Sequence, residues 1–177
     1  MLTKVFQLFL KKENQIGKTN NMLDDKLIKE TLQSAKTIAM VGVSSIKKEV
    51  SNNIKRRPST IVMKYMQDFG YKVIPVNPFS VGEKIHGEVV VGKLNDIKIP
   101  VDIVDVFRPS NEAPMIAQEA VKIGAKVFWL QYGIHSDEAK KLVESKKIFY
   151  ISNKCIKQEY QKLFLKVNPV FPALKTK

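Results

Sequence analysis

Five short runs dense in β-branched and apolar residues, at 37–43, 71–76, 102–107, 126–131 and 148–152, alternate along the chain with stretches whose apolar residues recur at helical spacing. Runs this short and this continuously apolar suit strands covered on both faces, which is the environment of a parallel sheet with helices above and below. The helical stretches are 23–35, 59–69, 111–123, 136–145 and 157–165. The first carries Leu23, Leu27, Ile28 and Leu32 on one stripe, with Asp24 and Asp25 near its start. The second is ended by Gly70 and offers Ser59 as a natural N-cap, with Pro58 just outside it. The glycines and alternation of 82–91 read as a loop or small hairpin. No repeat and no linker interrupts the pattern. The expected fold is one doubly wound, Rossmann-like α/β domain over residues 22–166, with a mostly parallel sheet and helices on both faces.

The flanks read differently. Leu2, Val5, Phe6, Leu8, Phe9 and Leu10 briefly resemble a secretion signal, but the apolar run is short and mixed, and no small-residue cleavage site precedes the polar stretch 11–21. Met22 stands just before the first helix, so 1–21 is expected to be an optional extension, dispensable for folding and binding. Residues 167–177, with Pro169 and Pro172, are expected to form a flexible basic tail.

Charge narrows the partners. The 177 residues hold 30 Lys and Arg against 17 Asp and Glu, a formal net charge of +13 with a pI near 9.7. An anionic partner is therefore in view: nucleic acid, a membrane surface or a phosphorylated small molecule. The basic residues crowd 47–57 and 154–177, while 96–119 is close to balanced. No basic helix interleaved with aromatics appears, which disfavours nucleic acid, and no segment reaches transmembrane length. One cysteine, Cys155, excludes an intramolecular disulfide and suits a cytoplasmic location.

In a doubly wound fold ligands bind beyond the carboxyl ends of the strands, at the switch in strand order. The residues there are Val43-Ser44-Ser45, Val76-Asn77-Pro78, Phe107-Arg108-Pro109 and Gln131-Tyr132-Gly133-Ile134. They are hydroxyls, amides, aromatics, an arginine and a glycine, with neither a carboxylate pair nor a nucleophile–base pair. The first amides of the helix at Ser59 present the positive end of its dipole, Arg57 stands immediately before it, and Ser44 and Ser45 offer hydroxyls from the other side. NAD fits poorly: Gly42 is the single glycine of the first turn, and Asn77-Pro78 occupies the place where a ribose-binding carboxylate belongs. A carboxylate-free site in a basic surround points instead to a ligand with an additional phosphate, coenzyme A or NADP. On this reading CoA binds more tightly than dephospho-CoA.

These residues also carry a family likeness. Val41-Gly42-Val43-Ser44, Arg57-Pro58-Ser59, Gly70-Tyr71-Lys72-Val73-Ile74-Pro75-Val76-Asn77-Pro78, Val101-Asp102-Ile103-Val104-Asp105-Val106-Phe107-Arg108 and Ala125-Lys126-Val127-Phe128-Trp129-Leu130-Gln131-Tyr132-Gly133-Ile134 resemble, in the same order, the small bacterial CoA-binding proteins. That family looks like the CoA-binding domain of the succinyl-CoA synthetase α subunit standing alone, and the resemblance runs from about Ala35 to Leu163. It implies coenzyme A or acyl-CoA as ligand. The pyrophosphate would lie by Gly42, Ser44, Arg57 and Ser59, the adenosine end past Asn77, Pro78, Phe107 and Arg108, and the pantetheine arm toward Gln131, Gly133 and Ile134. One departure is plain: the family places Arg-Pro-Ser a few residues after the first-loop serine, whereas here 46–56 is largely an insertion.

The leading expectation is a CoA or acyl-CoA binding protein without catalysis of its own. The rivals are an NADP-dependent oxidoreductase, a CoA-transferring or ligase component, and a nucleic-acid-binding protein. The sequence leaves open whether the chain forms a homo-oligomer or joins a partner enzyme, and which acyl group it would carry. His86 reads as a surface turn residue, and His135 as lacking the partners a phosphohistidine or general base needs. Cys155 reads as a small hydrophobe with Glu159 nearby, and Phe128 and Trp129 as sheet core.

Overall fold

The computed structural model describes residues 19–43 and 58–166. Its strands are β1 Thr37–Val41, β2 Lys72–Val76, β3 Lys84–Ile85, β4 Glu88–Val89, β5 Ile103–Val106, β6 Val127–Leu130 and β7 Phe149–Ile151. Five of them form one parallel sheet in the order β2-β1-β5-β6-β7, and β3 and β4 pair separately as an antiparallel hairpin. The Rossmann-like α/β fold expected from the apolar runs is the fold observed. Each strand is shorter than its run by one or two residues, and flanking residues such as Asp102, Phe107 and Gln131 still donate their N–H groups to the neighbouring strand.

The α-helices are α1 Thr19–Ser34, α2 Pro58–Asp68, α3 Ala113–Lys122, α4 Asp137–Ser145 and α5 Ile156–Tyr160. Single 3-10 turns stand at Leu94–Asp96 and Ser110–Glu112, and the π-type turn Gln161–Leu165 follows α5. Two starting points differ from expectation. The first described helix spans Thr19–Ser34 and so includes residues ahead of Met22. The second begins at Pro58, not at a Ser59 cap: proline is well tolerated at the first helical position, where its missing N–H would have had no partner anyway. Ser59 is consequently buried inside the first turn. The Ser136 cap is real, its hydroxyl accepting from the Ala139 N–H at 3.2 Å.

The described residues belong to two compact units, 35–156 and the segments 19–34 with 157–166. In the larger unit, the chain leaves β1 in one direction to reach β2 and in the other to run through β5, β6 and β7. Right-handed crossovers then put α2 on one face and α3 and α4 on the opposite face. The face under α3 and α4 is one continuous core: Ala39, Val41, Val104, Val106, Phe128 and Leu130 meet Ile116, Ala117, Ala120 and Val143. Small alanines on α3 let its backbone approach the sheet closely. The alternate strand residues, among them Met40, Ile103 and Trp129, are fully buried as well, which is the two-sided burial that the apolar runs demand. Trp129 satisfies its indole N–H on the Lys154 carbonyl at 2.6 Å.

The smaller unit is held by a different kind of contact. Tyr160 and Phe164 stack with centroids 4.5 Å apart, Lys29 lies over the Phe164 ring at 5.7 Å, and the Lys162 ammonium donates to Asp25 Oδ1 at 2.6 Å. Residues 1–18, 44–57 and 167–177 lie outside the described residues, as do the expectations for the N-terminal extension and the basic tail.

At the outer side of β2, the Val91 N–H donates to the Pro75 carbonyl at 3.0 Å, and Val76 and Val91 form an isolated parallel bridge.

Candidate ligand site at the strand ends

The switch in strand order lies between β1 and β5. The turn after β1 is tight: Gly42 donates its N–H to the Val76 carbonyl at 2.9 Å and adopts φ of +91°. A methyl group at Gly42 would stand 2.8 Å from Arg108 Cδ and 3.2 Å from Cγ, so glycine is needed both for the turn and for the arginine stem lying across it. Gly42 is the single glycine of this turn, where a dinucleotide fingerprint needs several. Among the described residues, what comes close to Gly42 is Arg108.

Arg108 is held there by a bidentate pair, Nε to Glu112 Oε2 at 2.8 Å and Nη2 to Glu112 Oε1 at 2.7 Å. The hydrogen bond from Arg108 holds the Glu112 carboxyl below the usual carboxylate range, and the Glu112 partner raises the guanidinium in turn. Two of the three arginine nitrogens are therefore committed within the protein. Asn77 is committed too: its Nδ2 donates to the Val43 carbonyl at 2.8 Å and its Oδ1 accepts from the Phe79 N–H at 3.0 Å. It ties the end of β2 to the chain leaving β1 and shapes the turn at Pro78.

These residues line a cavity of about 280 Å³ at the ends of β1 and β2. Gly42, Asn77, Pro78 and Arg108, all expected site residues, meet here. The opposite wall was not foreseen. One side of α3 and the turn before it supplies Glu112, Met115, Ile116 and Glu119, and the connection after the hairpin supplies Lys93 and Leu94. Phe79 and Met115, 74% and 60% exposed, stand at the mouth. The i, i+3, i+4, i+7 spacing of Glu112, Met115, Ile116 and Glu119 was visible in the sequence as a helix side mixing acids with apolar residues, and it carried the missing signal. The expectation of a carboxylate-free site is corrected here. The wall holds Glu112 and Glu119 beside Lys93 and Arg108, and is balanced in charge.

The remaining expected residues fall elsewhere along the same sheet edge. Phe107 follows β5, half-buried, its N–H bonded to the Val41 carbonyl at 2.9 Å. Gln131, Gly133 and Ile134 form the turn after β6: the Ile134 N–H donates to the Gln131 carbonyl, and the Gly133 N–H to Asn153 Oδ1 at 2.8 Å. Gly133 has φ of +81°, which the turn requires. Beneath this turn Gln131 is buried and donates its Nε2 to Asp105 Oδ1 at 2.7 Å. Asp105 was read as a strand residue only; burial pushes its carboxyl up to about 7. Ser59 lies in the first turn of α2, while Ser44, Ser45 and Arg57 lie outside the described residues.

His135 is not without partners: its Nε2 is 3.0 Å from Asp137 Oδ1 and its Nδ1 3.4 Å from Ser152 Oγ, on an exposed side chain. His86 sits at the hairpin turn with φ of 48°, exposed, its Nε2 3.1 Å from the Thr60 carbonyl. Among the described residues no cluster of His, Cys, Asp and Glu is arranged to hold a metal ion, and no helix is long and apolar enough to cross a membrane.

A strand-end cavity at the switch of a doubly wound parallel sheet is the usual location for nucleotide-type ligands. Comparison with known proteins gives the family. The model of the CoA binding domain family matches residues 36–161. The uncharacterized protein YneT of Bacillus subtilis is 42% identical over 130 residues, covering 73% of this chain and 89% of that protein. Among solved structures, cell-free ID.343 from Thermus thermophilus superposes with a TM-score of 0.71 at 35% identity, covering 79% of this chain and 98% of that one. A hypothetical protein from Pyrococcus horikoshii OT3 gives 0.70 at 33% identity, covering 78% and 91%. The chain belongs to the CoA binding domain family.

Proposed function

We propose that this protein binds coenzyme A or an acyl-CoA at the carboxyl edge of its sheet, as a binding module without a chemical step of its own. The observation that carries this reading is the cavity at the switch between β1 and β5 in a chain of the CoA binding domain family. A cavity for a whole drug-sized ligand spans roughly 300–1,000 Å³. At about 280 Å³ this one is sized for a part of coenzyme A, and its apolar floor suits the base of the adenosine end. The pyrophosphate would pass Gly42 toward Ser44, Ser45, Arg57 and Ser59 in the first turn of α2, where helix amides favour an anion. The pantetheine arm would continue past Phe107 to the Gln131, Gly133 and Ile134 turn.

The charge-balanced wall changes one expectation. With Arg108 engaged by Glu112, an additional phosphate on the ribose would rely on exposed Lys93, and an exposed ion pair contributes under about 1 kcal/mol. Dephospho-CoA should therefore bind only a few-fold more weakly than CoA, while NAD, which lacks the pantetheine arm that would reach the Gln131, Gly133 and Ile134 turn, should bind far more weakly than both. Calorimetry with the three ligands at low and moderate salt checks this. Tight NAD or NADP binding would replace the CoA reading with that of a dinucleotide enzyme, and no binding of CoA at all would remove it.

A further inference from the structure

Inside the cavity, the polar side chains on the wall differ in what they have left to offer. Asn77 has spent its amide on Val43 and Phe79, and both oxygens of Glu112 are taken by Arg108. Glu119 is different. Its Oε2 accepts the Leu94 N–H at 3.0 Å, which fixes the carboxylate against a fully buried neighbour, and its Oε1 has no hydrogen-bond partner among the described residues. One helical turn earlier on α3, Ile116 is buried and contributes to the apolar wall. The cavity thus presents an anchored hydrogen-bond acceptor beside an apolar surface. A flat ring carrying a donor on its edge complements that arrangement. A ring with a carbonyl at the same place would set oxygen against oxygen.

We propose that Glu119 is the specificity-determining residue that reads the exocyclic amine of a 6-aminopurine, selecting adenine over 6-oxopurines. This rests on the reading that the adenosine end of coenzyme A occupies the cavity. Glu119 selects by charge and position together, since an ionised carboxylate has no hydrogen to donate to the carbonyl of the wrong base. The Leu94 N–H prevents the side chain from swinging away, so the mismatch is not relieved by rotation. A hydrogen bond to a charged, half-buried acceptor corresponds to roughly a tenfold or greater difference in affinity.

The test is calorimetry of the full chain with coenzyme A and with its counterpart bearing hypoxanthine in place of adenine. Wild-type protein should prefer coenzyme A by about tenfold or more. Glu119→Gln keeps an oxygen for the Leu94 N–H and turns an amide N–H₂ into the cavity, so the preference should vanish or invert while the melting temperature holds. Equal binding of the two ligands by wild-type protein overturns the proposal and leaves the CoA reading standing, and so does an undiminished preference in a folded Glu119→Gln variant. Failure of wild-type protein to bind either ligand overturns the CoA reading itself, and this proposal with it.

Discussion

Asp105 sits in the middle of β5 with Met40 of β1 and Trp129 of β6 on either side of it. It is fully buried, its Oδ1 accepts from Gln131, and its Oδ2 has no hydrogen-bond partner among the described residues. Burial raises its carboxyl to about 7, against the opposing pull of the Gln131 and Val106 hydrogen bonds. Between the ordinary carboxylate value near 4 and the raised value, the folded protein binds a proton that the unfolded chain has lost. Stability therefore falls as pH rises through that window, and the penalty is complete above about 7. Asp105→Asn keeps the acceptor for Gln131 and removes the ionisation. Thermal or denaturant unfolding should show the variant more stable than wild type at pH 8, by on the order of a few kcal/mol, with the gain gone by about pH 4. A gain that is the same at both pH values would show that ionisation of Asp105 is not its cause. An acid in the centre of an otherwise apolar run was visible in Ile103-Val104-Asp105-Val106, but sequence alone could not say that the amide to meet it lay 26 residues on, at Gln131.

Asp102 works one step up in scale, where elements begin. Its Oδ2 accepts the backbone N–H groups of Lys36 and Thr37 at 2.8 and 3.1 Å, its Oδ1 takes the Lys126 ammonium at 2.6 Å, and its carbonyl receives the N–H of Val127. One residue thus gathers the amino ends of β1, β5 and β6. Burial works against the charge, but the Lys126 and backbone hydrogen bonds outweigh it and hold the carboxyl below the usual range. The contribution is present above the unfolded value near 4 and is lost as pH falls through the lowered folded value. Asp102→Asn should cost about 1–2 kcal/mol near neutral pH, with the difference narrowing in acid. A difference that is flat with pH would mean that lost packing, not charge, is responsible. The elements themselves were legible because two-sided burial leaves strong apolar runs and the stripes repeat at helical spacing. The boundaries were not: Pro58 took the helix start from Ser59, and α1 reached back to Thr19. At the site, topology alone brought Gly42, Asn77, Pro78 and Arg108 together, since all of them follow strands. The α3 wall and the Lys93–Leu94 connection escaped notice because their placement depends on how the segment between β2 and β5 folds back.

For the molecule as a whole, the formal charge of +13 guarantees some attraction to any polyanion. Such binding is driven by counterion release and collapses with salt, by factors of about 10³–10⁵ between roughly 50 and 200 mM for a protein making several phosphate contacts. Fluorescence anisotropy with a labelled duplex should therefore show association at low salt that is gone at about 200 mM, where coenzyme A remains bound. A duplex still held at the higher salt would favour a nucleic-acid role over the CoA reading. A separate whole-molecule consequence follows from Pro75. Within β2, the Lys72 N–H bonds to the Lys36 carbonyl and the Val76 carbonyl receives the Gly42 N–H, so by alternation Val73 and Pro75 turn their backbone groups outward. Pro75 has no N–H to give, and its carbonyl already receives the Val91 N–H. Among the described residues of β2, an incoming strand from another copy would find only Val73 vacant. The carboxyl half of β2 therefore resists sheet-to-sheet polymerisation, a safeguard against aggregation in a crowded solution that does not depend on the charge of the surface.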